Sequence, residues 1–477
     1  MPLYKTEVIS KSGFGKIRGR TSFPYIYYAF MDIVYTVPTK NARAKNKFKK
    51  FSKKVEHIFR KSVKMELTRN QNGGINMLYK YFTEKLTGLQ GLSIEKVEEN
   101  QNTIHIHCKL ERKKHKCPCC GKLTNTIHDY REQVIKDIPA FGKYVFIHIK
   151  KKRYRCTCGK RFAEKNKFLP RYHRMTNRLS AYIIDKLRDA VTYTSVAREM
   201  NLSVNTVIRV FGVVDYGHKN LPSALSIDEF KGNTGGEKYQ CIITDPVKKV
   251  VLDILPARTE VCLTKYFAKF SKSERENVKY FVSDMWKPFA NIATAWFKNS
   301  KQIVDKYHWI RQVNWAFESV RKEEQKKFSK THRRYFKKSR FLLLKRFDKL
   351  TDEQKQQVNI MLYASPTLST AHFYKEDFLK ILDCKDRETA KKAMSDWINW
   401  AYNCDIPQFV KCAKTMMNWL TGILNSFTTT ITNGFTEGCN NKIKVLKRNA
   451  YGFRNFKRFR NRILHMFAYQ SEKQATV

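Results

Sequence analysis

Short apolar runs separated by polar turns dominate the middle of the chain. Three of them follow one another with short connections, as in an antiparallel meander: 225–230, 239–244 and 250–255. The pattern then predicts a helix, a strand that ends at Asp284, a second helix, and a strand over residues 302–308. This alternation predicts a mixed α/β sheet.

Acidic residues interrupt this predicted sheet, where a carboxylate is costly unless something pairs with it. Asp228 lies inside the first apolar run, and Asp284 lies at the end of the fourth predicted strand. The order of elements is that of the RNase H-like fold, in which acids at these two positions can lie side by side. Glu229 is expected on the opposite face of its strand, because successive side chains alternate.

A third acid comes from a predicted helix near the end of the chain. In "NGFTEGCNNKIKVLKR" the apolar residues share one helical face, and Glu437 lies on a polar stripe that continues through Lys444 and Arg448. The stripe favours a metal ligand followed by phosphate contacts. Three such carboxylates can hold two Mg²⁺ or Mn²⁺ ions, which activate a nucleophile and stabilise a leaving oxygen. The alternative is that the acids only pair with surplus Lys and Arg.

Upstream, the stretch "TSVAREMNLSVNTVIRVFG" predicts a helix-turn-helix. A short helix ends at Met200, a two-residue turn follows, and a second helix begins after a serine cap. Four polar residues at the start of this second helix are expected to face the DNA major groove: Ser203, Asn205, Thr206 and Arg209. Many helical hairpins share this pattern, so a purely structural role is the alternative.

Two cysteine pairs predict a metal site nearer the N-terminus. Cys117 and Cys120 form a C-x2-C pair, and Cys156 and Cys158 form a tighter C-x-C pair. Four thiolates around one tetrahedral Zn²⁺ ion can hold together a small domain that has little core. Cys119 is a spare thiol that could replace Cys120, and buried cysteines without metal are the alternative.

Net charge adds the expected partner. The 477 residues include 93 Lys+Arg and 42 Asp+Glu, a net charge of +51, so nucleic acid is the expected partner, and the predicted helix-turn-helix favours double-stranded DNA. A ribosomal or membrane-surface protein is the alternative, which the 42% of apolar residues disfavours. Twelve cysteines in a chain of this length do not suggest a small secreted disulfide framework. No apolar run reaches about 18 residues, so we expect no membrane span and a cytoplasmic location.

Together these motifs resemble the bacterial insertion-sequence transposases of the ISL-three type, in the DDE superfamily. The resemblance is carried by "SIDEF", "VSDMWKPFA", "DKYH", "NGFTEGCNNKIKVLKRNAYGFRNF" and the two cysteine motifs, and it runs from about residue 77 to the C-terminus. It implies that Asp228, Asp284 and Glu437 are the catalytic triad. Cleavage and transfer of DNA strands at the terminal inverted repeats of an element would be the activity.

The resemblance also implies second-tier site residues and partners. "DKYH" resembles the D-x2-H signature of several DDE families, which adds Asp305 and His308; a structural strand end with a satisfied histidine is the alternative. A homo-oligomer on DNA, associated with a bacterial nucleoid, is implied as well. An inactive or domesticated relative that acts as a DNA-binding regulator is the alternative function. An RNA-binding protein fits the charge but not the helix-turn-helix.

We therefore expect a multidomain α/β protein in which a zinc-binding domain and a helix-turn-helix precede an RNase H-like catalytic domain with a helical insertion. An amphipathic helix is predicted to begin at Met77. The expected domains are a basic N-terminal extension (1–76), the zinc-binding domain (77–172), the helix-turn-helix DNA-binding domain (173–222), the first part of the catalytic domain (223–312), the helical insertion (313–424), and the second part of the catalytic domain with a basic tail (425–477).

Overall fold

A computed structural model of the chain describes residues 92–164, 169 and 173–474. The expected basic extension 1–76 and the helix predicted from Met77 lie outside the described residues. None of the helices in the described part of the chain is long and apolar enough to cross a membrane.

The residues divide by their contacts into two units. Among the described residues, the first unit comprises 92–96 and 107–114, and the second comprises 97–106 and the described residues from 115 onward. The strands that contribute residues to the first unit are β1 (Leu92–Glu99) and β2 (Thr103–Leu110). Both candidate sites lie in the second unit.

A long antiparallel hairpin follows the first cysteine pair. The strands of this region are β3 (His115–Lys116), β4 (Leu123–Thr124), β5 (Ile127–Ala140), β6 (Lys143–Arg155) and β7 (Arg161–Ala163). β5 pairs with β6, and β7 pairs with the far end of β6. The turn between β5 and β6 uses left-handed backbone at Phe141 (φ 53°) and Gly142 (φ 74°), which matches the right-handed twist of the strands.

The next three helices form the predicted helix-turn-helix. They are α1 (Asn177–Lys186), α2 (Tyr193–Glu199) and α3 (Val204–Phe211). Asn201 adopts left-handed backbone (φ 51°) in the turn, a conformation that Asn tolerates well. Ser203 caps α3 by accepting the Thr206 backbone N–H at 3.2 Å, as predicted. Val207 and Phe211 are buried against residues of α1 and α2, which fixes the angle between the helices.

A five-stranded mixed sheet forms the centre of the remaining chain. Its strands are β8 (Ala224–Phe230), β9 (Gln240–Asp245), β10 (Val250–Leu255), β11 (Tyr280–Ser283) and β12 (Lys301–Val304), in the order β10-β9-β8-β11-β12. The first three form the predicted antiparallel meander, and β11 and β12 run parallel to β8. The connecting helices are α4 (Glu260–Phe267), α5 (Lys272–Glu276) and α6 (Lys287–Trp296).

The two faces of this sheet have different coverings. Leu225 and Ile227 of β8 pack in one apolar cluster with residues of α4 and α6. Phe230, on the same strand, packs in a second cluster with the two C-terminal helices. Those helices are α15 (Gly434–Asn449) and α16 (Phe456–Gln474). Because side chains alternate along a strand, Asp228 points to the face covered by α15, the helix that carries Glu437.

The prediction of a strand over residues 302–308 is wrong in its second half. β12 ends at Val304, and Asp305 caps the next helix by accepting the Tyr307 backbone N–H at 3.1 Å. His308 therefore lies in the first turn of a helix. Aspartate is a favoured N-cap residue, and the hydrogen bond between its carboxylate and the Tyr307 N–H starts a helix where the strand was predicted to continue.

Between this cap and α15 the chain is helical, as expected for the insertion. The helices are α7 (Lys306–Lys327), α8 (Lys330–Lys338), α9 (Arg340–Leu344), α10 (Asp352–Tyr363), α11 (Pro366–Lys380), α12 (Arg387–Tyr402), α13 (Pro407–Asn418) and α14 (Leu420–Asn425). Trp309, Phe317 and Trp397 lie in their shared core. The expected domain boundary at residue 313 falls inside α7, because this helix begins directly at the end of the sheet.

The C-terminal helix α16 joins the sheet to the helix-turn-helix, and part of its basic character is internal. Arg460 Nε donates to Asp253 Oδ1 of β10 at 2.6 Å. Arg462 is 1% exposed, and its Nη2 donates to the backbone carbonyls of Asp189 and Val191 at 3.0 and 2.8 Å. Burial lowers the pKa of this guanidinium to about 10. The basic tail expected from the sequence therefore contains structural cations.

Truncating this buried arginine should destabilise the fold. We expect Arg462→Ala to lower the free energy of unfolding by about 3 kcal/mol, because it leaves a cavity and two unpaired carbonyls. Arg458→Ala, which removes an exposed cation of the same helix, should change it by about 0.5 kcal/mol or less. Urea unfolding followed by tryptophan fluorescence measures both. Equal effects of the two substitutions would contradict the structural role of Arg462.

Candidate active site

Acidic residues meet where neighbouring parallel strands end. Val282 of β11 pairs with Ser226 of β8, and Ser283 pairs with Val304 of β12. Continuing these registers by one or two residues brings three aspartates to the same level of the sheet: Asp228, Asp284 and Asp305. The carboxyl ends of parallel strands thus present a row of carboxylates from three different parts of the chain.

Asp228 is buried in this row and is 7% exposed. Its Oδ2 accepts from Asn440 Nδ2 at 2.9 Å, and its Oδ1 accepts from the Glu229 backbone N–H at 2.7 Å. Burial raises the pKa of the Asp228 carboxyl to about 7, and the charges of Asp284 and Glu437 act in the same direction. The three predicted catalytic acids are therefore electrostatic neighbours.

Asp284 follows the last residue of β11 and carries an unpaired oxygen. Its Oδ1 is buried and has no hydrogen-bond partner among the described residues. Burial raises the pKa of Asp284 to about 6, although the Trp286 backbone N–H, Arg311 and Arg258 act in the opposite direction. A buried oxygen without a partner, next to Asp228, fits a divalent cation, which takes oxygen ligands and offsets both charges.

Glu437 lies in the first turn of α15, close to the second-tier residues. One ligand atom from each of Asp305, His308 and Glu437 lies within 4.8 Å of the others. Asp305 accepts two backbone N–H groups, from Asn433 at 2.9 Å and from Tyr307 at 3.1 Å. Asp305 therefore ties the end of β12 to the start of the helix that carries Glu437. Burial raises the pKa of Glu437, and Asp305 adds to this effect.

His308 is held in one tautomer by its neighbour Arg311. The Arg311 Nη2 group lies 3.0 Å from His308 Nδ1, and a guanidinium can only donate, so Nδ1 accepts. Burial and then the charge of Arg311 lower the pKa of His308, which keeps the ring neutral with its proton on Nε2. That atom lies 3.9 Å from Glu437 Oε1. In this arrangement His308 presents a proton to Glu437 rather than a lone pair to a cation.

Buried polar contacts dock α15 on the sheet. Thr436 lies between Ser226 and Thr244, with hydroxyl oxygens 3.1 and 2.8 Å away, and Ser226 Oγ donates to Asn433 Oδ1. Asn440 lies one turn further along, on the same side of the helix. Asn440 was not among the predicted site residues, although its position three residues after Glu437 on a predicted helix was a signal for it.

The four predicted cysteine ligands come together among strands β3–β7 (residues 115–163), a region called the ribbon below. Cys117 Sγ lies 3.6 Å from Cys158 Sγ, Cys120 Sγ lies 3.5 Å from Cys156 Sγ, and all four sulfur atoms lie within 4.8 Å of one another. Thiolates about 2.3 Å from a tetrahedral Zn²⁺ ion are about 3.8 Å apart, so this set fits zinc. Backbone N–H groups lower the pKa values of Cys117 and Cys156, which favours thiolates at these two positions, whereas the contacts with the neighbouring sulfur atoms raise the pKa of Cys158. Cys119 is not in the cluster.

The predicted groove-reading residues lie on the outer side of α3. Ser203, Asn205 and Arg209 are exposed and Thr206 is partly exposed. The Ser203 and Thr206 hydroxyls lie 2.8 Å apart within the helix cap. Asn205 and Arg209 are four residues apart and share one exposed face of α3.

The fold and the sites together define a DNA-processing enzyme with its own DNA-binding modules. Three family models match in the corresponding order: a zinc finger of the transposases of IS204, IS1001, IS1096 and IS1165 over residues 113–158, the helix-turn-helix domain of transposase family ISL3 over residues 164–211, and the ISL3 transposase domain over residues 225–463. The last model alone covers half of the chain. The chain therefore belongs to the ISL3 family of DDE transposases.

Two of the curated relatives are named as transposases, and a third carries a different name. The chain is 27% identical over 391 residues to the transposase for insertion sequence element IS1001 of Bordetella parapertussis, which covers 80% of this chain and 96% of that protein. It is 22% identical over 244 residues to the transposase for IS1557 of Mycobacterium tuberculosis, which covers 46% of this chain and 54% of that protein. A Lactococcus lactis protein named ATP-dependent protease is 33% identical over only 108 residues, 22% of this chain and 33% of that protein.

Proposed function

We propose that this transposase binds the terminal inverted repeats of its insertion sequence and cleaves and transfers DNA strands at Asp228, Asp284 and Glu437. Asp228 and Asp284 lie at the ends of adjacent parallel strands, close to Glu437 on helix α15, and burial raises the pKa values of all three carboxyl groups; this arrangement supports the assignment. We also infer that the catalytic domain is RNase H-like, because a three-stranded meander continued by two parallel strands is the order that this fold requires.

The chain supplies the ligands and the second layer of contacts for the proposed metal centre. Two divalent ions, Mg²⁺ or Mn²⁺, would activate water or a 3′-hydroxyl and stabilise the leaving oxygen. Asp228 and Asp284 hold the deeper charges, and Asn440 orients Asp228. Asp305 fixes the helix of Glu437 against the sheet. Zn²⁺ at the four cysteines is proposed as a structural ion that shapes the ribbon for DNA contact.

The raised pKa values predict a pH-dependent affinity for the catalytic ions. Below about pH 6 the carboxyl groups of Asp228 and Asp284 are protonated without metal and must release protons when an ion binds. The affinity for Mn²⁺ should therefore rise with pH, by about tenfold per unit for each proton released, and level off above about pH 7. Mn²⁺ titration between about pH 5 and pH 8.5 measures this. Glu229→Gln should leave the profile unchanged, and an affinity independent of pH would contradict the assignment.

Cations on α15 should bind phosphates beside the site. Lys444 and Arg448 are exposed and follow Glu437 on the same helix. We expect Lys444→Ala combined with Arg448→Ala to flatten the plot of log binding constant against log salt concentration, by about one unit for each phosphate that is no longer neutralised. Lys391→Ala combined with Lys392→Ala, on helix α12 of the insertion, is the control. An unchanged slope for the first pair would show that these residues face solvent in the complex.

Incubation of the purified protein with a duplex that carries the element's own end tests the proposed function. Mg²⁺-dependent nicks at the end, absent with a duplex of scrambled sequence, support it. Binding without any cleavage under these conditions would instead support a DNA-binding regulator.

Since an element has two ends, we further infer that two or more chains assemble on DNA, which sedimentation of the complex measures.

A further inference from the structure

An exposed stripe on α7 leads away from the catalytic site. It consists of Tyr307, Arg311 and Trp315, which are four residues apart and therefore share one helical face. Tyr307 is 56% exposed and Trp315 is 52% exposed. The Arg311 guanidinium lies 5.4 Å from the centroid of the Tyr307 ring and 4.6 Å from the centroid of the Trp315 ring. Arg311 therefore lies between two exposed aromatic rings, within cation–π distance of both.

The core of the insertion does not use this surface. The apolar residues of α7 that pack into the core are on the opposite side of the helix, at Trp309, Val313 and Phe317. Large aromatic side chains kept in water on the other side contribute nothing to that packing. Exposed aromatic residues next to a cation form a surface on which unpaired nucleotides can stack, because every base has a π-face and every nucleotide carries a phosphate.

The position of the stripe identifies which part of a DNA ligand it meets. Arg311 also donates to His308 Nδ1 at 3.0 Å, so the stripe begins at the cluster that contains Glu437. About eight residues of helix span about 12 Å, roughly the length of three or four stacked bases. A paired duplex hides its base faces, whereas an unpaired strand exposes them.

We propose that Tyr307, Arg311 and Trp315 form a stacking platform for unpaired nucleotides of the DNA strand that enters the catalytic site. The platform rests on the proposed function only in that DNA is the substrate. It acts on bases of any sequence and adds to the phosphate contacts made elsewhere on the chain.

The test compares single-stranded and duplex DNA with the full-length protein, without added divalent metal so that no cleavage occurs. The probes are a strand of about 20 thymidylates with one 2-aminopurine, and a duplex of the same length. We expect Trp315→Ala to weaken binding of the single strand by about 5- to 150-fold at every salt concentration, because stacking releases no counterions. Binding of the duplex should not change.

Matched substitutions separate stacking from general damage. Trp400→Ala removes a tryptophan of the insertion with the same exposed fraction, 52%, and should leave both affinities unchanged. Tyr307→Phe should bind as the wild type does, whereas Tyr307→Ala should lose affinity for the single strand. The 2-aminopurine emission should be quenched by the wild type and by Trp400→Ala, and less by Trp315→Ala.

Three results would overturn the platform. The first is an equal loss of duplex and single-strand binding in Trp315→Ala, and the second is an unchanged affinity of that variant for the single strand. The third is that Trp315→Ala dissociates an oligomer that the wild type forms without DNA, which would make the stripe an interface between copies of the chain. The proposed function is tested by a separate measurement, the cleavage of DNA with Mg²⁺. If the wild type stacks bases but does not cleave DNA, the stacking platform is supported and only the catalytic assignment is contradicted.

Discussion

Asp228→Asn should lower the rate of strand cleavage by roughly 10³-fold or more while DNA binding survives. Asparagine keeps the shape of the side chain and its contact with Asn440, but it removes a buried charge that would hold a divalent ion. DNA binding should persist, because the helix-turn-helix and the cysteine ribbon lie elsewhere in the chain. Cleavage of an element-end duplex with Mg²⁺ or Mn²⁺, followed on a denaturing gel, and a binding titration of the same duplex measure both effects.

Glu229→Gln is the matched control for this substitution. Glu229 is the adjacent residue of β8, and its carboxylate pairs with Arg258. Because neighbouring side chains on a strand point to opposite faces, Glu229→Gln should cleave at close to the wild-type rate. Loss of cleavage in Glu229→Gln together with full activity in Asp228→Asn would reverse this assignment.

Cys156→Ser should remove the ribbon metal and unfold the region around it. Four thiolates supply the binding energy of a structural zinc ion, about 10–16 kcal/mol in small zinc domains, so the loss of one ligand is severe. We expect about one zinc per wild-type chain and much less in the variant. Hydrogen exchange over residues 115–163 should speed up, and binding of element ends should weaken. Elemental analysis and exchange mass spectrometry measure these changes.

Cys119→Ser serves as the control for the ribbon. Cys119 is exposed and lies outside the cluster of four sulfur atoms, although it neighbours Cys120 in the sequence. It should keep the metal and the protection from exchange. Wild-type protein that contains no metal when purified without chelators would contradict the proposed zinc site, as would full metal retention in Cys156→Ser.

Patterns within short stretches of sequence predicted much of the fold. Alternating apolar residues gave the meander, and their register carried Asp228 to one face. The apolar run before Asp284 placed that residue at a strand end. Local rules succeed here because β-strand periodicity and turn residues act over a few positions. The two cysteine pairs could likewise be recognised from short stretches of sequence.

Features that depend on distant contacts were missed. Asn440 donates to Asp228 across 212 positions of sequence, and the sequence offered only the helical spacing from Glu437. Arg462 resembled a surface cation, yet it is buried against the helix-turn-helix. A strand was predicted to continue through Asp305, which instead caps a helix. An apolar run followed by "DKYH" is compatible both with one continuous strand and with a strand that ends where a capped helix begins. These outcomes depend on which elements pack together, and local patterns do not contain that information.

A parallel count of bound Mn²⁺ ions and cleaved strands tests the metal-dependent catalytic site most directly. The protein, in complex with a duplex carrying the element's end, is titrated with Mn²⁺ and followed by electron paramagnetic resonance. The wild type is compared with Asp228→Asn, Asp284→Asn and Glu437→Gln. We predict that the wild type binds two ions and cleaves, and that each substitution loses at least one ion together with cleavage. Cleavage by the wild type without any divalent ion, or wild-type ion binding and cleavage in all three variants, would contradict this site.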